Sequence, residues 1–313
     1  MNSLSTVVLL GAAAIASALS PGGQQGAFTV AESGRSFSRL QDAVDAIGAG
    51  QGTIRIAPGT YRQCAVQQGG RIAYRAATPG SVTFDGGICE DKATFVLRGK
   101  AASVEGLTFR NLRVADRNGA AIRLELGNLD VRETMFRDSE SGILAGDDSA
   151  ATIRIERSTF SGLGRCDDDV ACAHSIYIGD YGTLIVNRVR FERGMGGHYV
   201  KSRAARIEVT DSSFDDSKGS TTNYMIDLSN GATGRIAGNH FVQGKNKENH
   251  SALIMVAAEG RSHNSSGLVI ADNEAALAPG APRPTAFVAD ASGDRLAIGA
   301  NQLGAGIERF QKR

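Results

Sequence analysis

Histidine, tyrosine and charged residues recur at a regular spacing in the second half of this sequence. Four short segments with a common template begin at His174, His198, Tyr224 and His250, which lie 24, 26 and 26 residues apart. One strand repeated every roughly 20–30 residues is typical of a solenoid, in which equivalent residues of successive coils stack about 4.8 Å apart. We therefore expect side chains that are distant in sequence to form columns on one strip of surface.

The stacking predicts two columns of polar and titratable side chains. Side chains alternate between the two faces of a strand, so apolar residues such as Ile176 and Val200 would fill the interior while the polar residues beside them face outward. The first predicted column contains His174, His198, Tyr224 and His250, and the second contains Tyr177, Lys201 and Asp227, with Tyr199 and Arg203 also predicted to face outward.

These residue types are suited to removing a proton next to a carboxylate. Such a β-elimination needs a cation that neutralises the carboxylate, a base that takes the α-proton and an acid that protonates the leaving oxygen. The planar guanidinium of Arg203 suits a carboxylate, and Lys201, whose neutral amine the nearby Arg203 would favour, is a candidate base, with His198 or Tyr177 as the base or the acid instead. Our predicted catalytic residues are Lys201, His198, Tyr177 and Arg203, and our predicted substrate-binding residues are His174, Tyr199, Tyr224, Asp227, Asn230, Asn249 and His250.

Other interpretations of the same residues stay open. Stacked polar ladders also stabilise solenoids, and Lys201 beside Asp227 would then be a structural ion pair of little net value. A C5-epimerase would use nearly the same residues, whereas a glycoside hydrolase would need two carboxylates at the cleft, for which Asp227 and Asp180 are candidates. A non-catalytic carbohydrate-binding or surface protein is the alternative outside the enzymes, and the absence of Trp favours it.

Phenylalanine marks the elements that would position these residues. A strand with a Phe near its end, followed by a turn, recurs along the chain, so we expect one Phe of each coil to stack on those above and below it inside the solenoid. The predicted core column comprises Phe109, Phe136, Phe160, Phe191, Phe214 and Phe241, at spacings of 27, 24, 31, 23 and 27 residues.

The N-terminal region predicts a strand, a helix and a second strand. Phe28–Ala31 has a strand pattern, Ser38 would cap an amphipathic helix that stops at Gly48, and Gly52–Tyr61 alternates up to a Pro-Gly turn. This order, with the phrases Ser-x-Leu-Gln-x-Ala-Val-x-Ala and Ile-x-Ile-Ala-Pro-Gly-Thr-Tyr, resembles the opening cap of right-handed parallel β-helix proteins of the pectin-lyase-like superfamily. The resemblance covers residues 28–62, and the repeats extend it to about residue 305.

The resemblance implies an all-β fold, a right-handed parallel β-helix solenoid with an N-terminal capping α-helix. We expect a single domain over residues 28–305, with the cap and first coil at 28–62 and a polar C-terminal tail at 306–313. Proteins of this fold with an outward cationic groove are often polysaccharide lyases, so the resemblance implies cleavage of an acidic, uronate-containing extracellular polysaccharide on the outward face of the parallel sheet.

Two further similarities qualify this expectation. Gly197–Ala204, Asn223–Gly231 and Asn249-His250 resemble a family of uncharacterised secreted bacterial β-helix proteins, which implies the same fold but brings no established activity. Pectin methylesterases begin in much the same way as this chain, but their Gln-Asp and Asp-Phe-Ile-Phe-Gly segments have no counterpart here. We therefore do not expect methylesterase chemistry.

The start of the chain and its cysteines indicate a secreted or periplasmic protein. An apolar run over residues 7–16 ends in Ala-Ser-Ala, which predicts a signal peptide at 1–18 and a flexible lead at 19–27. No other segment is long and apolar enough to span a bilayer, so we expect no membrane span after signal removal. Four cysteines fit an oxidising compartment, and the expected disulfides are Cys64 with Cys89, one coil apart, and Cys166 with Cys172, around an Asp-rich loop.

Composition limits the partners. The 313-residue chain has a net charge near +1 and no Lys/Arg run, so nucleic acid is not expected. The cysteines lack zinc-ligand spacing, and we expect no cofactor; calcium bound by Asp147, Asp148 and Asp167–Asp169 is the alternative. We expect a monomer whose partner is an acidic polysaccharide or oligosaccharide.

Overall fold

The computed structural model describes residues 26–167 and 170–313 as a right-handed parallel β-helix with three long sheets. The predicted all-β fold is confirmed, and its one α-helix among the described residues lies at the N-terminal end. The predicted signal peptide at 1–18, most of the predicted lead at 19–27, and Asp168 and Asp169 lie outside the described residues.

The strands are short, and most contain three to six residues. The first nine are β1 Phe28–Val30, β2 Arg35–Phe37, β3 Gln51–Ile56, β4 Gly59–Tyr61, β5 Ala65–Gln67, β6 Arg71–Ala76, β7 Val82–Asp85, β8 Ala93–Leu97 and β9 Ala101–Glu105. The next thirteen are β10 Leu107–Arg110, β11 Ala120–Leu124, β12 Asn128–Arg132, β13 Met135–Arg137, β14 Ser141–Ala145, β15 Asp148–Glu156, β16 Thr159–Ser161, β17 Arg165–Asp167, β18 Val170–Ala173, β19 Ile176–Ile178, β20 Tyr181–Asn187, β21 Arg190–Glu192 and β22 Val200–Ser202. The last twelve are β23 Arg206–Thr210, β24 Ser213–Asp215, β25 Ile226–Leu228, β26 Thr233–Ala237, β27 His240–Gln243, β28 Ala252–Val256, β29 Val269–Ala271, β30 Glu274–Leu277, β31 Thr285–Asp290, β32 Ala297–Ile298, β33 Gln302–Leu303 and β34 Ile307–Lys312.

Successive coils contribute one strand to each long sheet. Sheet 1 has twelve strands in the order β2-β1-β3-β6-β9-β12-β15-β20-β23-β26-β29-β32. Sheet 2 has ten, β33-β30-β27-β24-β21-β16-β13-β10-β7-β4, and sheet 3 has ten, β34-β31-β28-β25-β22-β19-β14-β11-β8-β5. The long sheets are parallel except where β1 pairs antiparallel with β2 and β3, and β17 and β18 form a separate antiparallel hairpin.

A column of phenylalanine rings fills the interior behind sheet 2, as the spacing predicts. Phe109 pairs in register with Phe136, and the column continues to Phe241 through every intervening coil. Its neighbouring rings are stacked with centroids 4.5–5.5 Å apart. All six rings are buried, so burial of this repeated side chain fixes the register of the coils.

The N-terminal cap differs from its prediction in an additional strand, β2, and at the start of its helix. The helix α1 spans Leu40–Ile47, and Arg39, not Ser38, precedes its first turn without a side-chain cap. The backbone N–H of Leu40 instead donates to Oε1 of Gln63 at 2.8 Å. A side chain from the next coil thus satisfies a donor that the helix cannot satisfy itself, while Gly48 ends the helix at φ 57° as predicted.

The C-terminal end also differs. The predicted polar tail at 306–313 contains the strand β34, which pairs in parallel with β31 over Thr285 to Asp290. Its side chains are mostly exposed, so the tail has the polar surface that the sequence indicates but continues sheet 3. A polar composition predicts that these residues are exposed to solvent, but it does not exclude a strand. A strand at the end of a solenoid can be both exposed and hydrogen-bonded.

Two disulfides link parts of the β-helix. Both predicted disulfides are confirmed, Cys64–Cys89 between neighbouring coils and Cys166–Cys172 within the hairpin β17–β18. Across residues 26–167 and 170–313, no helix has the length and apolar character needed to cross a bilayer.

Candidate functional site

The predicted second column lies on the outer face of sheet 3. Tyr177 of β19 pairs in register with Lys201 of β22, which pairs with Asp227 of β25. The same column continues through Leu144 to Arg123 on β11. The residues on either side of each polar one are buried, and all are apolar except Ser202, so the alternation of the strands holds this polar row in place.

Two cations of the site converge on a carboxylate that the sequence analysis missed. Glu259, which follows β28, forms ion pairs with Nζ of Lys201 through Oε1 and with Nη2 of Arg203 through Oε2. The Glu259 side chain keeps 40% of its exposure, whereas that of Lys201 keeps 10%. Burial tends to raise the pKa of Glu259, but its hydrogen bonds to Lys201 and Arg203 outweigh burial and lower it. The Glu259 carboxylate is therefore charged, accessible to solvent and in contact with both cations.

The guanidinium of Arg203 is held from three sides. Its Nε donates to the hydroxyl oxygen of Tyr177 at 3.0 Å, and its Nη1 donates to Oδ1 of Asn230 at 2.7 Å. The third contact is with Glu259. These bonds fix the plane of the guanidinium. Ligand binding therefore does not need to order this long side chain, and little side-chain entropy is lost.

The predicted first column is confirmed over three of its four residues. The ring of His198 stacks on His174 at 5.0 Å and on Tyr224 at 5.5 Å between centroids. His174 also stacks on Tyr177, at 5.8 Å. His250 does not continue this stack among the described residues, because its Nε2 turns to the backbone oxygen of Lys245 at 3.1 Å.

Hydrogen bonds define the tautomers of the two stacked histidines. Nδ1 of His174 accepts the backbone N–H of His198 at 2.9 Å, so the proton of the neutral ring lies on Nε2. His198 Nδ1 faces the carbonyl oxygen of Tyr224 at 3.3 Å, which leaves its Nε2 without the proton in the neutral form. Burial, reinforced by the charge of Lys201, lowers the pKa of His198 to about 3, and burial with the neighbouring His198 lowers the pKa of His174 well below its usual value.

Asp227 lies beneath the surface. It is 1% exposed, and its Oδ2 accepts the hydroxyl of Ser229 at 2.8 Å and lies 3.5 Å from Nζ of Lys201 and 3.6 Å from Nε2 of His198. Its Oδ1 is buried without a hydrogen-bond partner among the described residues. Burial raises the pKa of Asp227, although the charge of Lys201 opposes the shift. Asp227 supports Lys201 from below, whereas the unprotonated Nε2 of His198 cannot donate a hydrogen bond to it.

The predicted outward position of Tyr199 is wrong. Tyr199 is 1% exposed and packs against two rings of the phenylalanine column, and Met225, one coil later, is also buried. Both residues precede their strands, where the turn breaks the alternation that the prediction extrapolates. The hydroxyl of Tyr199 donates to Oδ1 of Asp216 at 2.7 Å, within a buried network that includes Thr222 and Lys247. Tyr199 therefore cannot stack on a ligand.

One predicted binding residue, Asn249, supports a turn. The side-chain amide of Asn249 donates to Oδ1 of Asn223 at 3.0 Å, and Oδ1 of Asn223 also accepts the backbone N–H of Tyr224 at 2.9 Å. The nearby Lys247 ammonium donates to the backbone oxygen of Asn223 and lies 3.4 Å from Oδ2 of Asp216. This network holds the turn that presents the Tyr224 ring, so Asn249 acts through the fold.

The outer face of sheet 3 forms an open groove of about 380 Å³. Consecutive coils supply its floor, so it runs along the solenoid axis. Some of its residues were predicted, but Arg123, Asn118 and Glu259 were not. The groove is lined by Asn118, Arg123, Ser141, Leu144, Ala171, Cys172, His174, Tyr177, Lys201, Arg203 and Glu259.

The acidic residues considered for calcium have other partners. Asp147 accepts the backbone N–H of Asp180 at 2.7 Å, and Asp148 accepts that of Gly127 at 2.9 Å. Asp167 pairs with Arg165 in the hairpin. The one group of potential metal ligands among the described residues combines an exposed glutamate with the two sulfurs of the Cys166–Cys172 disulfide, which are not thiolates.

No protein-family model matches this chain, and no curated protein matches its sequence. The parallel β-helix is therefore established by the structure itself, while the pectin-lyase-like superfamily remains a resemblance carried by the N-terminal cap.

Proposed function

We propose that this protein binds an acidic polysaccharide in the sheet 3 groove and cleaves it by β-elimination. The observation that carries the proposal is the convergence of Lys201 and Arg203 on one carboxylate, that of Glu259, at a solvent-open surface. A uronate carboxylate has the same chemistry as Glu259. By exchanging with it, a substrate would gain two cationic partners that the fold already holds in position.

The two cations supply the electrostatic part of the reaction. Removing the proton next to a carboxylate places negative charge on the carboxylate oxygens, and fixed donors aimed at those oxygens stabilise that charge. Arg203 offers a planar fork, and Lys201 adds a compact charge. Lys201 lies between the carboxylates of Asp227 and Glu259, so it suits carboxylate binding better than the role of base.

Tyr177 is the residue best placed to move the proton. Its hydroxyl oxygen lies 3.0 Å from Nε of Arg203, next to the proposed carboxylate position, and the side chain is only half-buried. The Nε2–H of His174, on the ring stacked against Tyr177, is a further donor on the groove wall. His198 is 8% exposed with its Nε2 toward Asp227, so we assign it a positioning role.

Tyr177 first accepts and then returns one proton in the proposed step. Its hydroxyl releases its own proton to solvent, and the resulting phenolate takes the proton from the carbon next to the carboxylate, while the electron pair of that C–H bond forms a carbon–carbon double bond. The bond from the neighbouring carbon to the glycosidic oxygen breaks, and this oxygen leaves with a proton, which Tyr177 can return. The products are an unsaturated uronate and a new reducing end.

The test is ultraviolet absorbance of the unsaturated product on incubation with a panel of uronate-containing polysaccharides. We expect Tyr177→Phe to lower the rate on the order of 100-fold or more, as for loss of a general acid–base group. Arg203→Gln should raise KM and lower kcat, because it removes both binding and charge stabilisation. Arg154→Gln, the same charge change on sheet 1 with a side chain 38% exposed, is the control. No absorbance from folded protein across the panel would refute the lyase.

Hydrolysis is the second candidate, because two carboxylates with opposite pKa shifts meet at Lys201. The pKa of Asp227 is raised and that of Glu259 is lowered, a division typical of an acid and its partner in glycosidases. Against it, the Asp227 side chain is 2% exposed and lies below Lys201. New reducing ends without ultraviolet absorbance, lost in Asp227→Asn, would establish hydrolysis instead.

A further inference from the structure

Arg123 is a cation of the groove without a close partner among residues 26–167 and 170–313. Within those residues its Nε is buried without a hydrogen bond, and the nearest carboxylate oxygen, Oε1 of Glu125, lies 4.0 Å from it. That separation is at the limit of an ion pair and too long for a hydrogen bond. Lys201 and Arg203, by contrast, each contact Glu259 directly.

The cluster of charges around Arg123 contains more cations than carboxylates. Glu125 accepts from Nζ of Lys92 at 2.7 Å and also pairs with Nε of Arg98. Glu90 pairs with the same two residues. The cluster thus contains three cations, Lys92, Arg98 and Arg123, against two carboxylates, and both carboxylates are engaged by the other two cations.

Arg123 and Lys201 stand in one column of sheet 3. Arg123 pairs in register with Leu144, Leu144 with Tyr177, and Tyr177 with Lys201. Three rungs separate their Cα atoms by about 14 Å along the solenoid axis. All four side chains line the groove, and Leu144 provides a half-exposed apolar surface between the two charged ends.

We propose that Arg123 forms a second anion-binding position in this groove, so that the protein recognises a linear polyanion and not a single acidic sugar. The inference rests on the proposed function, since Lys201 and Arg203 form the first position. Its ligand carries carboxylates on separate units of one chain, with a carbohydrate face against Leu144. The Arg123 side chain is 30% exposed, so the accessible part of its guanidinium would gain a charge-assisted hydrogen bond from a ligand carboxylate.

The test compares ligands of different length. Binding of a single uronic acid and of 1,4-linked uronate oligomers of increasing length is measured by titration calorimetry on wild type, Arg123→Gln, Arg123→Lys and Arg203→Gln. We expect Arg123→Gln to weaken binding of the longer oligomers about five- to tenfold, the loss of one charge-assisted contact. Binding of the single sugar should not change. Arg123→Lys should retain part of the gain with length.

The outcomes separate this inference from the proposed function. If Arg203→Gln weakens all ligands while Arg123→Gln weakens none, the second position is refuted and the first survives. If no uronate oligomer binds the wild-type protein, or if neither substitution has an effect, both proposals fail. Arg154→Gln again controls for total charge, and unfolding in urea verifies that each variant is folded.

Discussion

Replacing Glu259 by Gln should tighten the binding of acidic oligosaccharides. In the unbound protein the Glu259 carboxylate occupies the position between Lys201 and Arg203 that we assign to the substrate. A substrate carboxylate must displace it, so part of the binding free energy is used to break the internal pairs. Glutamine has nearly the same shape but no charge, and it would compete far less.

The size of the effect follows from the exposure of Glu259. Its side chain is 40% exposed, so each of its two ion pairs is screened by solvent and contributes about 0.3–0.8 kcal/mol. Together they reduce the population of the open site, and apparent affinity falls with that population, so removing them should lower Kd roughly three- to fifteenfold. Added salt should shrink the difference, since it screens the exposed pairs.

The assay is calorimetric titration with a uronate oligomer at low and at high salt. Glu208→Gln is a matched control, because Glu208 is 36% exposed and pairs with Arg206 on sheet 1. The pKa of Glu259 is lowered, so it stays charged at and below neutral pH, and the gain should persist across that range. An unchanged or larger Kd for Glu259→Gln would refute the displacement argument, and a lower kcat without tighter binding would assign Glu259 to the chemistry.

Three further predictions concern stability. The pKa of His198 is about 3 in the folded protein against about 6.5 for an unperturbed histidine, so the unfolded chain binds more protons between these values and stability is lost as the pH falls below 6.5. His198→Asn should therefore reduce the loss between neutral pH and pH 5 by about 2 kcal/mol in urea titrations, and an unchanged loss would contradict the burial of a neutral His198. Lys247→Met should cost about 3–5 kcal/mol, because it leaves the buried Asp216 without its cation, and a loss in urea unfolding below about 1 kcal/mol would show that the pair is not a structural requirement. Phe191→Ala should cost about 3–5 kcal/mol through a cavity in the ring column, and a thermal midpoint close to that of wild type would contradict the column's role.

The sequence repeat predicts the position of side chains that recur at the same point of each coil. The Phe column and the Tyr177–Lys201–Asp227 row both follow from a repeat near the length of one coil together with strand alternation, and both are in register as predicted. The prediction fails at Tyr199, one residue before its strand, because alternation holds only where the backbone is extended. The rule therefore ends where the strand ends.

The sequence repeat does not identify Glu259 and Arg123, the two charged groove residues that the sequence analysis missed. Glu259 reaches Lys201 across 58 positions from a loop after the strand β28, outside the repeated strand template. Arg123 stands in the predicted column, but its segment lacks the His or Tyr that marks the template. Only the register of β11, β14 and β19 brings it into line with Tyr177.

One carboxylate lies beneath the cations of the groove, and another covers them from the solvent side. Asp227 is buried and accepts the hydroxyl of Ser229, whereas Glu259 is 40% exposed on a loop. The two therefore have different consequences for binding. Asp227 keeps Lys201 in place whether or not a ligand is present, while Glu259 sets how strongly a ligand must bind to enter. Removing Asp227 should disorder the site, and removing Glu259 should open it, so the pair of variants distinguishes support of the cations from competition for them.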